Sequence, residues 1–101
     1  MGNILAKVKI VGVTKYSKEI VSKAIGRAVE TKLADLDQRI EKITDTIRSF
    51  ESSYDMETEA FAKRYDAGEL EENLDYMEWV ACKEILEDLA KEKDMLLQVE
   101  Q

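Results

Sequence analysis

Apolar side chains recur every 3.5 residues over two long stretches of this chain. From Val29 to Tyr54 the spacing alternates between four and three residues for more than three heptads, and from Trp79 to Leu96 it steps by 3, 4, 3 and 7. This period is typical of helices that pack lengthwise on one another. The predicted core of the two seams consists of Leu33, Leu36, Ile40, Ile43, Ile47, Phe50, Trp79, Cys82, Leu86 and Leu89.

Capping residues set the expected ends of three helices. Ser17 is a good N-cap for the first helix, and Asp55 is the candidate cap of a short second one. Gly68 is the natural stop of that short helix, and Asp75 with Glu78 three residues later resembles a capping box. The predicted helices are therefore 17–52, 56–67 and 76–98.

One short segment before the helices has the alternation of a β-strand. In residues 6–11, Val8 and Ile10 share one face with Ala6, and Lys7 and Lys9 lie on the other. A lone strand leaves its backbone groups unpaired, so we expect Val8 and Ile10 to belong to a strand that pairs with a second copy, giving a homodimer.

The whole chain is then a single mainly α domain. It has a short N-terminal strand and a long antiparallel helical hairpin with a short intervening helix and coiled-coil-like packing. Its length of 101 residues suits one small domain. Gly26 lies inside the first predicted helix and marks either close packing or a break, because glycine costs roughly 1 kcal/mol relative to alanine there.

Composition argues against catalysis. The chain has no histidine, which removes the commonest general base and metal ligand, and its single cysteine lies on a seam where burial would make it inert. We therefore expect no enzyme activity, no cofactor, no bound metal and no small-molecule substrate. A lone cysteine also suits a reducing cytoplasm, and no apolar run approaches the ~18 residues of a membrane span.

Charge is distributed unevenly along the sequence. Residues 1–27 carry six basic side chains and one acid, 6 − 1 = +5, whereas the remainder carries 9 − 21 = −12. The basic head would permit DNA binding through Lys7 and Lys9 on a two-stranded ribbon. DNA binding is not favoured, because a ribbon-helix-helix protein needs two short helices where this sequence predicts one long helix. The acidic remainder suits a basic protein partner instead.

A block from Phe50 to Trp79, about a third of the chain, resembles small prokaryotic antitoxins of the TumA type, the antidotes of TumE-type toxins. The matching positions are Phe50, Glu51, Tyr54, Met56, Phe61, Tyr65, Gly68, Glu69, Leu70, Asp75, Tyr76, Glu78 and Trp79. The resemblance implies a noncatalytic antitoxin that neutralises a small basic toxin by forming a tight complex with it.

The acidic connector between the second and third predicted helices is the candidate partner-binding surface. Its members are Glu69, Leu70, Glu71, Glu72, Asp75 and Tyr76. A toxin that acts on RNA would carry a basic groove, to which such a surface is complementary in charge. The competing interpretation is a homodimeric coiled-coil structural or adaptor protein whose acids only keep it in solution.

Overall fold

A computed structural model of the chain describes residues 15–100, and all of its regular secondary structure is helical. Helix α1 spans Lys15–Tyr54, α2 spans Thr58–Asp66 and α3 spans Leu74–Glu100. The predicted mainly helical fold, with the long first helix packed against the last, is confirmed. The predicted strand at 6–11 lies outside the described residues, so its pairing through Val8 and Ile10 stays a prediction.

Helices α1 and α3 run antiparallel along their shared seam. Near the turn between them, the rings of Phe50 and Trp79 stack with their centroids 5.7 Å apart. Toward the other end, Nζ of Lys32 in α1 lies 3.5 Å from Oε2 of Glu92 in α3. The two heptad seams therefore close on each other within one chain. We call residues 50–80 the closed end of the hairpin and its opposite end, where α1 begins and α3 finishes, the open end.

The seam supplies the core of the hairpin. Leu36 and Trp79 have no exposed surface, as expected for knobs between two packed helices. Among the predicted seam residues, Leu36, Ile47, Trp79, Cys82 and Leu89 are buried, and Leu33, Ile40, Ile43, Phe50 and Leu86 are half-buried. Lys93 occupies a seam position near the open end, and its Nζ reaches Oδ1 of Asp37 at 2.7 Å, so its aliphatic stem covers the seam while its charge is paired.

The end of α1 differs from the expected one, and the predicted cap at Asp55 is wrong. Helix α1 continues to Tyr54, and Asp55 then adopts a left-handed backbone with φ of 50°. This conformation lets the backbone N–H of Met56 bond the carbonyl of Glu51 at 3.2 Å, five residues back. Asp55 therefore terminates the first helix instead of starting the second, a position that aspartate tolerates better than most residues.

The predicted stop at Gly68 is confirmed. Gly68 has φ of +73°, and its N–H donates to the carbonyl of Tyr65 while that of Glu69 donates to Arg64. These two bonds form the Schellman pattern that ends many helices, and it requires a residue that accepts positive φ. The chain then crosses from α2 to α3 through residues 67–73.

The predicted capping box of α3 is also wrong. The helix begins two residues earlier than predicted, at Leu74, and Oδ1 of Asn73 accepts the N–H of Tyr76 at 2.8 Å. Asn73 is thus the N-cap. Asp75 has a different role, because its carboxylate accepts the hydroxyl proton of Tyr54 across the hairpin.

Gly26 neither breaks α1 nor permits close packing. The helix runs through it without interruption, and a Cβ built at this position would meet nothing within 4 Å. Both sequence-based explanations for Gly26 are therefore wrong.

Candidate binding surface at the closed end

Aromatic rings fill the interior of the closed end. Phe61 of α2 and Trp79 of α3 lie parallel at 2° with centroids 3.9 Å apart, and neither has exposed surface. Tyr65 and Tyr76 tilt against Phe61 at 5.6 and 5.3 Å, and Tyr54 stacks on Trp79 at 6.1 Å. Since stacked and tilted pairs are each worth about 0.5–1.5 kcal/mol beyond their buried area, this cluster holds α2 on the hairpin.

A short polar chain at the same place connects all three helices. Nε1–H of Trp79 donates to Oγ1 of Thr58 at 3.0 Å, and the Thr58 hydroxyl donates to Oε2 of Glu51 at 2.8 Å. The same carboxylate oxygen accepts the backbone N–H of Thr58 at 2.9 Å. Glu51 thereby caps α2 from α1, since the N-cap residue Glu57 makes no side-chain cap bond. No buried side-chain N or O atom among the described residues lacks a partner.

Most residues that carry the antitoxin resemblance therefore build the fold. Phe50, Tyr54, Phe61, Tyr65 and Trp79 lie in or against the aromatic core. Sequence reasoning missed the part played by Thr58 in joining Glu51 to Trp79. Glu51 and Thr58 lie seven residues apart in sequence. This spacing alone does not show that the chain turns at Asp55 between them.

The predicted partner-binding residues divide into two groups. Leu70 and Tyr76 are half-buried and pack against the aromatic core, so they anchor the connector. Glu69, Glu71, Glu72 and Asp75 are exposed. Among these acids, Glu69 lies 3.7 Å from Nε of Arg64, and Asp75 holds the Tyr54 hydroxyl.

Two exposed apolar side chains stand among these acids. Leu74 is 81% exposed and Met77 is 52% exposed. Both lie in sequence between Glu72 and Glu78, which are also exposed. An apolar centre with a charged rim is the usual anatomy of a protein-binding patch. Leu74 and Met77 were not among the predicted binding residues. They could have been identified in the sequence as apolar residues that lie outside the seam.

Two titratable groups near this patch have raised pKa values. Burial, and the nearby Glu78 carboxylate to a lesser degree, raise the pKa of the Cys82 thiol above its ordinary 9.0, which leaves little reactive thiolate at neutral pH. The hydrogen bond to Asp75 raises the pKa of Tyr54 above 10.0, so its hydroxyl stays protonated and acts as a donor. Cys82 lies on the buried seam and offers no exposed nucleophile.

No cluster of three cysteine, aspartate or glutamate side chains in residues 15–100 is placed to hold a metal ion. None of the helices in the described range combines the length and apolarity needed to cross a membrane.

Comparison with known proteins gave no match to a family model, to a curated protein or to a solved structure. The exposed patch formed by Leu74, Met77, Glu71, Glu72 and Glu78, which we call the closed-end patch, is the candidate binding surface of the closed end.

Proposed function

We propose that this chain is a noncatalytic, antitoxin-like protein that binds a small basic protein and neutralises it by complex formation. The observation that carries the proposal is the closed-end patch, in which an 81% exposed leucine lies beside exposed carboxylates. A cytoplasmic location and pairing of two copies through Val8 and Ile10 belong to the same proposal.

The local charge of the patch supports a basic partner. Residues 69–78 contain five acidic and no basic side chains, 0 − 5 = −5. Glu71 and Glu72 are exposed, so the electric field of these negative charges extends into the solvent. Such a field accelerates encounter with a basic protein and disfavours nucleic acid.

Leu74 and Met77 add binding free energy that charge alone does not provide. Burying a leucine or methionine side chain fully is worth about 1.5–3 kcal/mol, and apolar anchors at the centre of a patch carry most of the affinity in protein complexes. Leu74 and Met77 both lie in the first turn of α3, and the stacked rings of Phe61 and Trp79 hold α3 against α2. Both side chains therefore project from a well-packed helix. A partner can therefore bind Leu74 and Met77 with little ordering of this chain.

The proposal predicts that an adjacent gene encodes a small basic protein, and it is tested by co-expressing the chain with that protein. We expect relief of growth arrest and co-purification of a complex. The double change Leu74→Ser and Met77→Ser should weaken the purified complex at least tenfold, which corresponds to ~1.4 kcal/mol. The matched control is Ile20→Ser with Ile25→Ser, because these side chains are 67% and 43% exposed on α1 near the open end.

The acids are tested separately through kinetics. Glu71→Gln with Glu72→Gln should slow association and flatten its dependence on salt, with a smaller effect on dissociation. A complex that keeps full affinity after both serine changes at positions 74 and 77 would refute the closed-end patch. A neighbour that neither binds the chain nor arrests growth would refute the antitoxin function itself.

A further inference from the structure

Helix α3 has a second apolar stripe on the flank beside the seam that packs on α1. Its positions are spaced 3, 4, 4, 3, 4, 3 and 4 residues apart from residue 74 to residue 99, with Asp88 and Glu92 at the two middle positions. Every one of these positions is exposed. The apolar members, which we call the outer stripe, are Leu74, Met77, Ala81, Ile85, Met95 and Val99. The stripe runs about 37 Å along the helix at 1.5 Å per residue.

We infer that the outer stripe binds the outer stripe of a second copy of the chain, with the two α3 helices antiparallel. A heptad spacing is what a helix needs to pack lengthwise on another helix. The seam that faces α1 is already closed within the chain, so this second stripe is the one left to pack between copies. The inferred interface is distinct from strand pairing at Val8 and Ile10.

The charge distribution selects the antiparallel orientation. The closed end carries −5 over residues 69–78, whereas the open end is close to neutral, with 3 − 1 = +2 over residues 18–27 of α1 and 2 − 3 = −1 over residues 91–100 of α3. An antiparallel pair keeps the two acidic closed ends apart and places each beside the nearly neutral open end of the partner. A parallel pair would place the two acidic closed ends side by side, which is unfavourable.

The register follows from the stripe. Leu74 faces the partner's Val99 and Met77 faces the partner's Met95, so the two-fold axis passes between residues 85 and 88. Glu84 and Lys91 are exposed and lie seven residues apart on one flank. In this register Lys91 comes within one helical turn of the partner's Glu84, and symmetry makes the contact twice.

The acids at the middle positions limit the strength of the pairing. Glu92 already has a counterion in Lys32 at 3.5 Å, but Asp88 would stand beside the partner's Ile85. A polar residue at one position of a helical interface fixes the register and lowers stability. One helix face also gives a contact at the small end of stable interfaces, which bury ~800 Å² per partner. We therefore expect a dimer that dissociates in the micromolar range.

The oligomeric state of the purified chain alone tests the inference, so the result does not depend on any toxin. Sedimentation equilibrium should show a mass that rises with concentration above the 11.6 kDa of one chain. Met95→Asn should raise the dissociation constant at least tenfold. Ile20→Asn is the matched control, because Ile20 is 67% exposed and Met95 is 68% exposed, and only Met95 belongs to the stripe. Circular dichroism confirms that both variants keep their helices.

Orientation is tested by thiol cross-linking in a Cys82→Ser background. Leu74→Cys and Val99→Cys chains, mixed and oxidised, should link position 74 of one copy to position 99 of the other. Preferential links between two copies of position 74 would overturn the antiparallel arrangement. A chain that stays monomeric at hundreds of micromolar would overturn the dimer. Reactivity at position 74 that appears only after residues 1–14 are deleted would also overturn it, in favour of cover by that segment.

The two proposals fail separately. Leu74 and Met77 belong both to the closed-end patch and to the outer stripe, so a toxin and a second copy compete for them. Met95→Asn removes the dimer contact and leaves the closed-end patch intact. A Met95→Asn chain that associates more weakly than the parent chain and still neutralises the toxin supports both proposals, whereas equal association of this variant and the parent chain refutes only the contact between α3 helices.

Discussion

Gly26 and Gly68 allow the same chemical change, glycine to alanine, to be made in two different backbone conformations. Gly26 lies in the interior of α1, and Gly68 follows α2 with φ of +73°. An added Cβ meets nothing within 4 Å at either position. Contacts therefore drop out of the comparison, and the effect on the free energy of unfolding comes from the backbone alone.

The two substitutions should change stability in opposite directions. Gly26→Ala removes a helix-interior glycine, which is about 0.8–1.0 kcal/mol less favourable than alanine, so the free energy of unfolding should rise by that amount. Gly68→Ala forces a side chain into the left-handed region at a cost of roughly 1–2 kcal/mol. The reduced entropy of the unfolded chain offsets about 0.4–1 kcal/mol of this cost, so we expect a net loss near 1 kcal/mol.

Urea and thermal unfolding measure both effects. For a domain of this size 1 kcal/mol shifts Tm by about 4–8 °C, so the two variants should melt on opposite sides of the parent chain. The urea m-values should stay equal, because neither change alters the surface exposed on unfolding. A Gly26→Ala chain that melts below the parent would refute a continuous, unpacked α1 at this position. Shifts of the same sign for both variants would refute the argument from backbone conformation.

Three further predictions concern single side chains. Thr58→Ala leaves Nε1–H of buried Trp79 without its acceptor and should cost about 1–3 kcal/mol in urea unfolding, whereas Thr58→Ser should retain most stability; equal losses would contradict the bond. Cys82 should react with a thiol reagent far more slowly in the folded chain than in urea, because it is buried and its pKa is raised; equal rates would contradict its burial. The pKa of Tyr54 is raised by Asp75, so its contribution to stability is present below pH 10.0 and is lost as the pH rises through the folded-state pKa. Tyr54→Phe should therefore lose less stability than the parent above that pH, as read from urea midpoints.

The long helices could be predicted from sequence because their apolar period persists for several turns. The repeat from Val29 to Tyr54 specifies an apolar face on one helix, and the repeat from Trp79 to Leu96 specifies an apolar face on a second helix that can pack against the first. Burial of Leu36 and Trp79 follows from that geometry. What the period left open was whether the seams close within a chain or between chains, since both arrangements bury the same residues.

Helix ends depend on contacts that the sequence alone does not display. Asp55, Asn73 and Asp75 are all cap formers, and their short-range preferences are similar. The contact across the hairpin from Tyr54 to Asp75 occupies one carboxylate, and Asn73 caps the helix instead. Such a choice is made by tertiary structure.

The candidate surface was predicted in part. The acidic composition of the connector indicated a charged surface, and Glu71 and Glu72 do lie exposed. Composition gives no direction to a side chain, however, so it did not separate Leu70, which packs on the aromatic core, from Leu74, which faces outward. That distinction needs the path of the backbone between Gly68 and α3.

The hydrogen bond between Thr58 and Trp79 also indicates where folding begins. Its two ends lie 21 residues apart in the chain, so closing this loop costs about 1 kcal/mol less in chain entropy than first joining Lys32 to Glu92, which are 60 residues apart by number. We expect the hairpin to form first at its aromatic end, and the packing of α1 on α3 then to extend toward the termini. Amide hydrogen exchange should be slowest around Trp79. A nascent chain would then begin to pack only once Trp79 and the residues after it have been synthesised.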